Sequence, residues 1–323
     1  MDFTTVTAGK DDNDRRLDKV IRKFLSSENL SSLYKTMRKG LIKLNDKKCE
    51  PGTHVFEGDK ISVASFLLYS KNKNEMQNIN SLDAPEKSLN IIFSNEHILI
   101  INKPYDVTVH GFDNSLDKQV QDYYLKNQNI TSISFMPGPL HRLDRKTTGL
   151  LAFSWDLQGA RWFSENIANH SISKIYHAVL TGHLNKTEEW IDYIQKEDND
   201  KEKKSFHTVK VMSDSENIDL IAKKAVTKVE PVYYGNYNGT DFTYARIYLF
   251  TGRTHQIRSQ AASHGYVLLG DSAYGSKVKL QEQEYFLHAS ILKFGSENPL
   301  DLPMEIKAPE PKAFVDFLEK HRY

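Results

Sequence analysis

Asp144 lies in the run HRLDRKTTGLL (residues 141–151), and its position between two arginines makes it a candidate nucleophile or base. Arg142 and Arg145 flank it, and neighbouring cations favour the ionised form of a carboxylate. An ionised Asp can attack an electrophilic carbon or accept a proton. The Thr-Thr-Gly turn and the apolar run LLAF that follow predict a buried strand directly after the carboxylate. The alternative interpretation is a surface turn held by a local ion pair.

Arg253, His255 and Arg258 form a second group of candidate residues in the run LFTGRTHQIRSQ. The preceding run ARIYLF predicts a strand, and Thr251 or Thr254 could cap a helix that begins after the Thr-Gly turn. Helix N-termini favour anions, and no acidic residue stands beside these cations in the sequence. These cationic residues therefore predict an anionic partner from outside the segment. The alternative is a phosphate or a carboxylate held elsewhere in the fold.

Tyr176 is a third candidate, in the run KIYHAVLTG, whose period-two alternation predicts a β-strand. A strand tyrosine is most commonly a core aromatic whose hydroxyl binds a neighbour. Tyr176 is therefore either a core aromatic or a residue of the site. The runs that contain Asp144 and Arg258, and their order in the chain, decide between these two interpretations.

The chain resembles the RluA-type pseudouridine synthases, RNA-modifying enzymes that turn a uridine base over on its ribose. The matching runs are HRLD, KxYxA, TGRTHQIR letter for letter, LGD…YG, LHA and an early NKPxxxxVH, and together they cover about residues 90–310. Asp106 stands where the family more commonly has Gly, and Asp only tolerates the positive φ that Gly adopts freely. The His110-Gly111 ending is similar to the large-subunit rRNA branch, and the chain as a whole resembles the RluC branch most.

The resemblance implies a role for each candidate side chain. Asp144 is the implied nucleophile or base, Tyr176 packs against it and the target base, and Arg258 forms an ion pair with Asp144. Arg142, next to the nucleophile, is placed to contact the extruded nucleotide or to occupy its vacated space. The residues expected to bind RNA in this part of the chain are His141, Arg142, Arg253 and His255.

Residues 15–48 concentrate positive charge, with eleven Lys and Arg against three Asp and Glu, a net +8 in a chain whose total is +1. Concentrated charge of this kind suits a phosphate backbone. Apolar residues at helical spacing predict two short helices, the second capped by Ser31 or Ser32 and ended by Gly40, followed by short strands. This segment resembles the S4 RNA-binding domain; the alternative is a helical hairpin with a solvated basic face. The candidate RNA contacts here are Arg15, Arg16, Lys19, Arg38 and Lys39.

The predicted fold class is α+β. A small S4-like RNA-binding domain at residues 15–70 is followed by a polar linker at 71–88 and by a catalytic domain at 89–323. The resemblance implies that the catalytic domain is built on a mixed, largely antiparallel sheet.

Composition narrows the class of protein further. The single cysteine, Cys49, excludes a disulfide scaffold and a thiolate metal site, and it suits a reducing cytosol. No apolar run approaches the length of a membrane span, and the N-terminus lacks the apolar segment of a signal peptide. We therefore expect a cytoplasmic monomer with no metal, no nucleotide cofactor and no membrane contact.

The predicted function is isomerisation of specific uridines, in large-subunit (23S) rRNA as the first choice, by base flipping and an Asp nucleophile or base. Three alternatives remain open at this point. The substrate is a transfer RNA; the chain is a catalytically silent RNA-binding assembly factor; or Asp144 serves a hydrolase such as a glycosidase. A glycosidase needs a second carboxylate roughly 5–10 Å from the first, and no motif offers one.

Overall fold

The computed structural model describes residues 2–25, 29–67, 89–127, 132–196, 209–212, 222–296 and 298–323. The chain folds into two compact units. The N-terminal unit comprises Met1–Leu89, Lys118–Gly138 and Ser154–Ala160, and the C-terminal unit comprises Asn90–Asp117, Pro139–Phe153 and Arg161–Tyr323. The predicted linker at residues 71–88 lies outside the described residues.

Before residue 89, the N-terminal unit contains two α-helices and short antiparallel strands. Four of its strands form one sheet in the order β1-β6-β3-β4, and β2 pairs with β5. The elements before residue 89 are β1 (Phe3–Thr7), β2 (Arg15–Arg16), α1 (Leu17–Phe24), α2 (Leu30–Arg38), β3 (Ile42–Leu44), β4 (Lys47–Lys48), β5 (His54–Val55) and β6 (Lys60–Ala64).

The two predicted helices and the two predicted strands are confirmed, and their apolar positions form one core. Helix α2 is capped by Asn29, whose side chain accepts a hydrogen bond from the Ser32 backbone N–H at 2.8 Å, so the predicted serine cap is wrong. Gly40 follows the helix with φ +72°, as its predicted role at the helix end requires. The buried core residues include Leu17, Val20, Ile21, Leu33, Met37, Ile42, Val55, Ile61 and Val63.

This unit begins before the predicted boundary at residue 15. Strand β1, the β-branched run FTTVT, pairs antiparallel with β6 from Phe3 opposite Ala64 onward. The unit also takes in residues from beyond the linker, because buried Asp12 accepts hydrogen bonds from the Ile133 N–H at 2.8 Å and the Ser134 hydroxyl at 2.6 Å. Its extent is set by these distant pairings, which no local pattern shows.

The predicted α+β class with a mixed, largely antiparallel sheet is confirmed. The sheet has ten strands in the order β12-β11-β13-β14-β10-β15-β9-β8-β7, with β16 added on β15, and β15 pairs with β9 in parallel. The elements after residue 89 are β7 (Ile91–Ser94), β8 (Ile98–Lys103), α3 (Leu116–Asn127), β9 (Thr148–Ser154), α4 (Leu157–Ala168), β10 (Ser173–Thr181), β11 (Glu188–Lys196), β12 (Val209–Met212), β13 (Lys223–Tyr237), β14 (Thr240–Leu249), α5 (Gln256–Ser263), β15 (Leu287–Lys293), β16 (Glu305–Lys307) and α6 (Lys312–His321). Of the helices that the structure describes, none has the length and apolarity needed to cross a bilayer.

Strand β9 anchors the segment that carries Asp144. Every residue of Thr148–Ser154 is buried, as the run LLAF predicted. Leu150 and Ala152 pack with Ile98, Ile100 and apolar residues of neighbouring elements in one core cluster. Burial on both faces ties this strand to the sheet, so the loop that precedes it starts from a rigid position.

Candidate active site

Asp144 faces a pocket of about 440 Å³ in the C-terminal unit. Three segments supply most of its lining: the loop of residues 140–144 ahead of β9, the beginning of β10, and residues 249–258 from the end of β14 into α5. The end of α4, the turn after it and the start of β15 complete the lining. The three motifs that the sequence singled out therefore meet at one place. The volume is within the range of small-ligand sites in proteins.

The Asp144 carboxylate is 18% exposed and lies among cationic and imidazole groups from a distant segment. Its Oδ2 is 3.5 Å from Arg258 Nη1, and its Oδ1 is 3.8 Å from His255 Nε2. A turn fixes the backbone, because the Thr147 N–H donates to the Asp144 carbonyl oxygen at 3.1 Å. These contacts reject the reading of this run as a surface turn with a local ion pair.

Arg145 makes its ion pair with Asp106 and not with Asp144, contrary to the expectation from their adjacency. Its Nε lies 2.9 Å from Asp106 Oδ1, and Lys146 Nζ lies 3.0 Å from the same oxygen. Asp106 has φ +63°, so it adopts the left-handed conformation that Gly would take there. The hydrogen bonds from Lys146 and Arg145 lower the pKa of Asp106. A glycine at this position could not pair with these two cations.

Arg258 has a closer acidic partner than Asp144, and the sequence analysis missed it. Nε and Nη2 donate to the two Asp271 carboxylate oxygens at 2.7 and 2.9 Å, and both side chains are buried. The rings of Tyr274 and Tyr285 lie 5.0 and 4.7 Å from the guanidinium carbon. Burial opposes the charge, but the hydrogen bonds and charge of Asp271 outweigh it and raise the pKa of Arg258. The LGD run was the available signal.

The turn into α5 is built differently from the predicted threonine cap. His255 precedes the helix with φ +52° and makes no side-chain cap. The Gln256 side-chain oxygen instead accepts from the Arg253 N–H at 3.0 Å and from the Thr251 hydroxyl at 2.8 Å. His255 Nδ1 hydrogen-bonds the Tyr274 hydroxyl at 2.9 Å, which directs Nε2 toward the pocket. Burial lowers the pKa of His255, while the Asp144 charge opposes that shift.

Tyr176 lies on β10 and is 5% exposed, with its side chain lining the pocket. Burial and the negative charge of Asp144 both raise the pKa of the phenol. At neutral pH the hydroxyl therefore keeps its proton. It is a hydrogen-bond donor with a large apolar face beside Asp144.

His141 and Arg253, both expected to bind RNA, are partly engaged with the protein. His141 Nε2 accepts from the Ala152 N–H at 3.1 Å, and its ring stacks on Phe163 at 6.1 Å between centroids. Burial and the charge of Lys174 lower the pKa of His141 to about 3, so the ring is neutral and holds the loop against β9. Arg253 is exposed, and its Nε donates to the Lys224 carbonyl oxygen at 3.0 Å.

Lys103 binds the backbone of the turn that follows Asp144. Its role was not predicted from the sequence, although it lies in the run NKP. It is completely buried, and its ammonium donates to the carbonyl oxygens of Pro104 at 2.9 Å and of Arg145 and Thr147 at 2.8 Å. Burial lowers the pKa of Lys103 to about 7, against the attraction of Asp144 and Asp106. The side chain fixes both ends of the turn after Asp144.

Lys103→Met is expected to destabilise the protein, because each carbonyl left without a donor costs roughly 1–3 kcal/mol. The folded protein releases the Lys103 proton near pH 7, while the unfolded chain holds it to 10.5. The unfolded state then binds more protons between these values, so wild-type stability rises with pH relative to the variant, by about 1.4 kcal/mol per pH unit at most. Urea unfolding of both proteins at pH 7 and 9 measures the difference. A difference that stays constant with pH would contradict the assignment. Lys146→Met, which removes a lysine whose side chain is 25% exposed, is the control.

The predicted RNA contacts of the N-terminal unit fall into two groups. Arg15 donates to the Ser134 hydroxyl at 2.7 Å, and Arg16 pairs with Asp18 at 2.8 Å, so both are engaged within the unit. Lys19, Arg38 and Lys39 are exposed and make no ion pair with any residue that the structure describes. These three side chains are free to meet an external anion. Within the described ranges, no group of three or more His, Cys, Asp or Glu is placed to hold a metal ion.

Comparison with known proteins places this arrangement in a family. Residues 97–263, more than half of the chain, match the family model described as RNA pseudouridylate synthase. The chain is 27% identical to ribosomal large subunit pseudouridine synthase D of Vibrio cholerae, over 94% of this chain and 90% of that protein. It is 31% identical to tRNA pseudouridine synthase C of the same organism, over 64% of this chain and 85% of that protein.

A solved structure shows the same fold. The human RNA pseudouridylate synthase domain containing 1 has a TM-score of 0.57 and 22% identity, covering 74% of this chain and 91% of that one. The family model covers the loop of Asp144, the strand of Tyr176 and the helix of Arg258 in a single match. The chain belongs to the RNA pseudouridylate synthase family and is an RNA pseudouridine synthase.

Proposed function

We propose that this enzyme isomerises uridines of large-subunit ribosomal RNA, with Asp144 as the group that acts on the ribose. The observation that carries the proposal is the Asp144 carboxylate at the pocket, 3.5 Å from Arg258 Nη1. The rRNA substrate is supported by relatives named large subunit synthases D in Vibrio cholerae and Escherichia coli, which align over 94% and 98% of this chain. The relative named tRNA pseudouridine synthase C supports transfer RNA as the second candidate substrate.

The reaction begins with extrusion of the nucleotide, because the C1′–N1 bond of a stacked uridine is hidden from a protein carboxylate. Arg142 is exposed beside Asp144, so it can contact the extruded nucleotide or fill the space it leaves. Asp144 then attacks the ribose or removes a proton from it, and the glycosidic bond breaks. The uracil turns and rejoins the ribose through C5, which breaks the bond that Asp144 had formed or is followed by return of the ribose proton from Asp144. The C5 proton leaves as N1 gains one. All atoms are conserved.

Tyr176 contributes packing and proton relay in this scheme. Because burial and Asp144 raise the pKa of its phenol, Tyr176 is not the resident base at neutral pH. Its ring lies against the place that the uracil occupies, and its hydroxyl can pass the C5 proton to Asp144 or to water. Arg258, held by Asp271, supplies a fixed positive charge 3.5 Å from the Asp144 carboxylate and keeps that carboxylate oriented.

Pseudouridine mapping tests the substrate assignment. Ribosomal and transfer RNA from a strain that lacks the gene are incubated with the purified full chain and mapped at single-nucleotide resolution. New pseudouridines in large-subunit rRNA are the expected result. Modification confined to transfer RNA would move the assignment to the second candidate, and no modification in any RNA would overturn the proposal.

We further propose that the N-terminal unit is an S4-like RNA-binding module that holds the substrate by its phosphates. Its support is the free exposed cations at Lys19, Arg38 and Lys39 and the net charge of +8 over residues 15–48. The two packed helices followed by short strands agree with that module. Arg15 and Arg16 bind side chains within the unit, so we expect them to contribute less to RNA affinity than Lys19, Arg38 and Lys39.

Arg38→Gln combined with Lys39→Gln is expected to weaken binding of the substrate RNA without changing the chemical step. Each lost phosphate contact makes the dependence of log K on log salt shallower by roughly 0.7–0.9. Binding titrations from low to moderate salt measure the slope. Lys312→Gln combined with Lys320→Gln, on exposed positions of α6, removes the same charge as a control. Equal slopes for the two double variants would remove the RNA-binding role of this surface.

A further inference from the structure

Lys174 brings a charged group into the active-site pocket without an acidic partner. It lies on β10 two residues before Tyr176, so both side chains project from one face of the strand, and both line the pocket. Lys174 is 8% exposed, and no carboxylate among the described residues forms an ion pair with it. A Cβ placed on Gly252 would lie 3.6 Å from its Nζ, so the ammonium reaches the exposed turn that Gly252 and Arg253 form.

Buried cations are nearly always paired, so a buried cation without an acidic partner indicates a binding site for an anion. Burial lowers the pKa of Lys174, and repulsion by Arg253 lowers it further. Among the described residues, the side-chain partner of the nearby Arg253 is a neutral group, the Lys224 carbonyl oxygen. Arg258 differs, because Asp271 and Asp144 both compensate its charge. Positive charge is therefore in excess at the side of the pocket that Lys174 and Arg253 line.

An aromatic side chain lies at the same side of the pocket. Phe250 precedes the turn, lines the pocket and is 43% exposed, although a phenyl ring gains nothing from water. Cations that meet a phosphate, beside an aromatic face that stacks on a base, are the combination that binds single-stranded nucleic acid. A small organic anion would use the cations and leave the ring unexplained.

We propose that Lys174 and Arg253 bind a backbone phosphate next to the extruded uridine, with the neighbouring base stacked on Phe250. This inference rests on the proposed function, because it presumes an RNA strand in the pocket. The pocket then has two parts. One part, with Asp144, Tyr176 and Arg258, acts on the target nucleoside. The other part, with Lys174, Arg253 and Phe250, holds the RNA strand next to that nucleoside. Only an unstacked strand can present a phosphate and a free base face together, so the substrate uridine lies in a loop, bulge or single strand.

The test compares binding of a fluorescein-labelled oligouridine dodecamer by the full-length wild type, Lys174→Met and Lys174→Arg. We expect Lys174→Met to bind roughly tenfold more weakly and to have a salt slope shallower by about 0.7. Lys174→Arg keeps the charge and should keep the slope. Lys186→Met removes an exposed lysine elsewhere in the same unit and should leave the slope unchanged.

Two further variants keep the test decisive if Lys174→Met folds poorly. Arg253→Gln changes an exposed side chain and should make the slope shallower by the same amount. Phe250→Leu should weaken binding roughly tenfold at unchanged slope, because stacking carries no charge. If Lys174→Met or Arg253→Gln loses pseudouridine formation while affinity and slope stay at the wild-type values, the side chains only support the catalytic residues and the inference is overturned. A wild type that makes no pseudouridine overturns the proposed function instead, whatever the binding data show.

Discussion

Asp144→Asn is expected to reduce pseudouridine formation at least roughly a thousandfold, about 4 kcal/mol of transition-state stabilisation, while RNA binding persists. Asn has the size of Asp and still faces Arg258 and His255, but it can neither attack the ribose nor accept its proton. The fold should survive, because Arg258 keeps its two hydrogen bonds to Asp271. Single-turnover assays on the mapped RNA measure the loss.

Asp106→Asn is the matched control for this variant. Asp106 is also a carboxylate beside the same loop, its exposed pairs with Arg145 and Lys146 contribute little free energy, and Asn tolerates its positive φ. It should retain activity within about tenfold of wild type. Activity that close to wild type in Asp144→Asn itself would remove Asp144 from the chemistry.

Arg258→Met is expected to lose both turnover and stability, for separable reasons. Removing the guanidinium leaves the buried Asp271 carboxylate, 2% exposed, without its partner, and breaking a buried pair costs roughly 3–5 kcal/mol. Turnover should fall at least about a hundredfold, because Asp144 loses the cation 3.5 Å from its carboxylate. Denaturant unfolding and single-turnover kinetics measure the two losses.

The double variant Arg258→Met with Asp271→Asn distinguishes the two losses. Neutralising Asp271 removes the unpaired buried charge, so a substantial part of the stability should return while turnover stays low. Arg258→Lys should be intermediate in both, since a lysine keeps the charge but cannot make the two parallel bonds to Asp271. Recovery of turnover together with stability in the double variant would show that Arg258 acts only through the fold, and Arg253 would then be the cation to test.

The sequence by itself determined the residue types of the active site and the elements that carry them. The run around Asp144, the strand of Tyr176 and the TGRTHQIR run are contiguous motifs, and the buried strand after Asp144 follows from local hydrophobicity. The two N-terminal helices were predictable for the same reason, because α1 and α2 each bury one apolar stripe. Such features can be recognised in segments of about ten residues, because hydrophobic periodicity and turn-forming residues are local properties of the sequence.

The tertiary structure decided which charges face each other. Asp144 stands beside Arg145 in the chain, yet Arg145 turns to Asp106, and the cation that faces Asp144 is Arg258 from a distant segment. Asp271 could not be assigned to Arg258 from the sequence, because an ion pair between a helix and a separate loop leaves no local pattern.

The same limit applies to Lys103, whose three carbonyl partners become visible only when the NKP run and the loop after Asp144 are folded together. It also applies to the N-terminal unit, which recruits β1 and the residues bound by Asp12 across the linker. A sequence window reports propensity and periodicity, whereas pairing between distant segments depends on the path of the whole chain. Motifs therefore identify the candidate residues of the site, and the fold alone determines their partners.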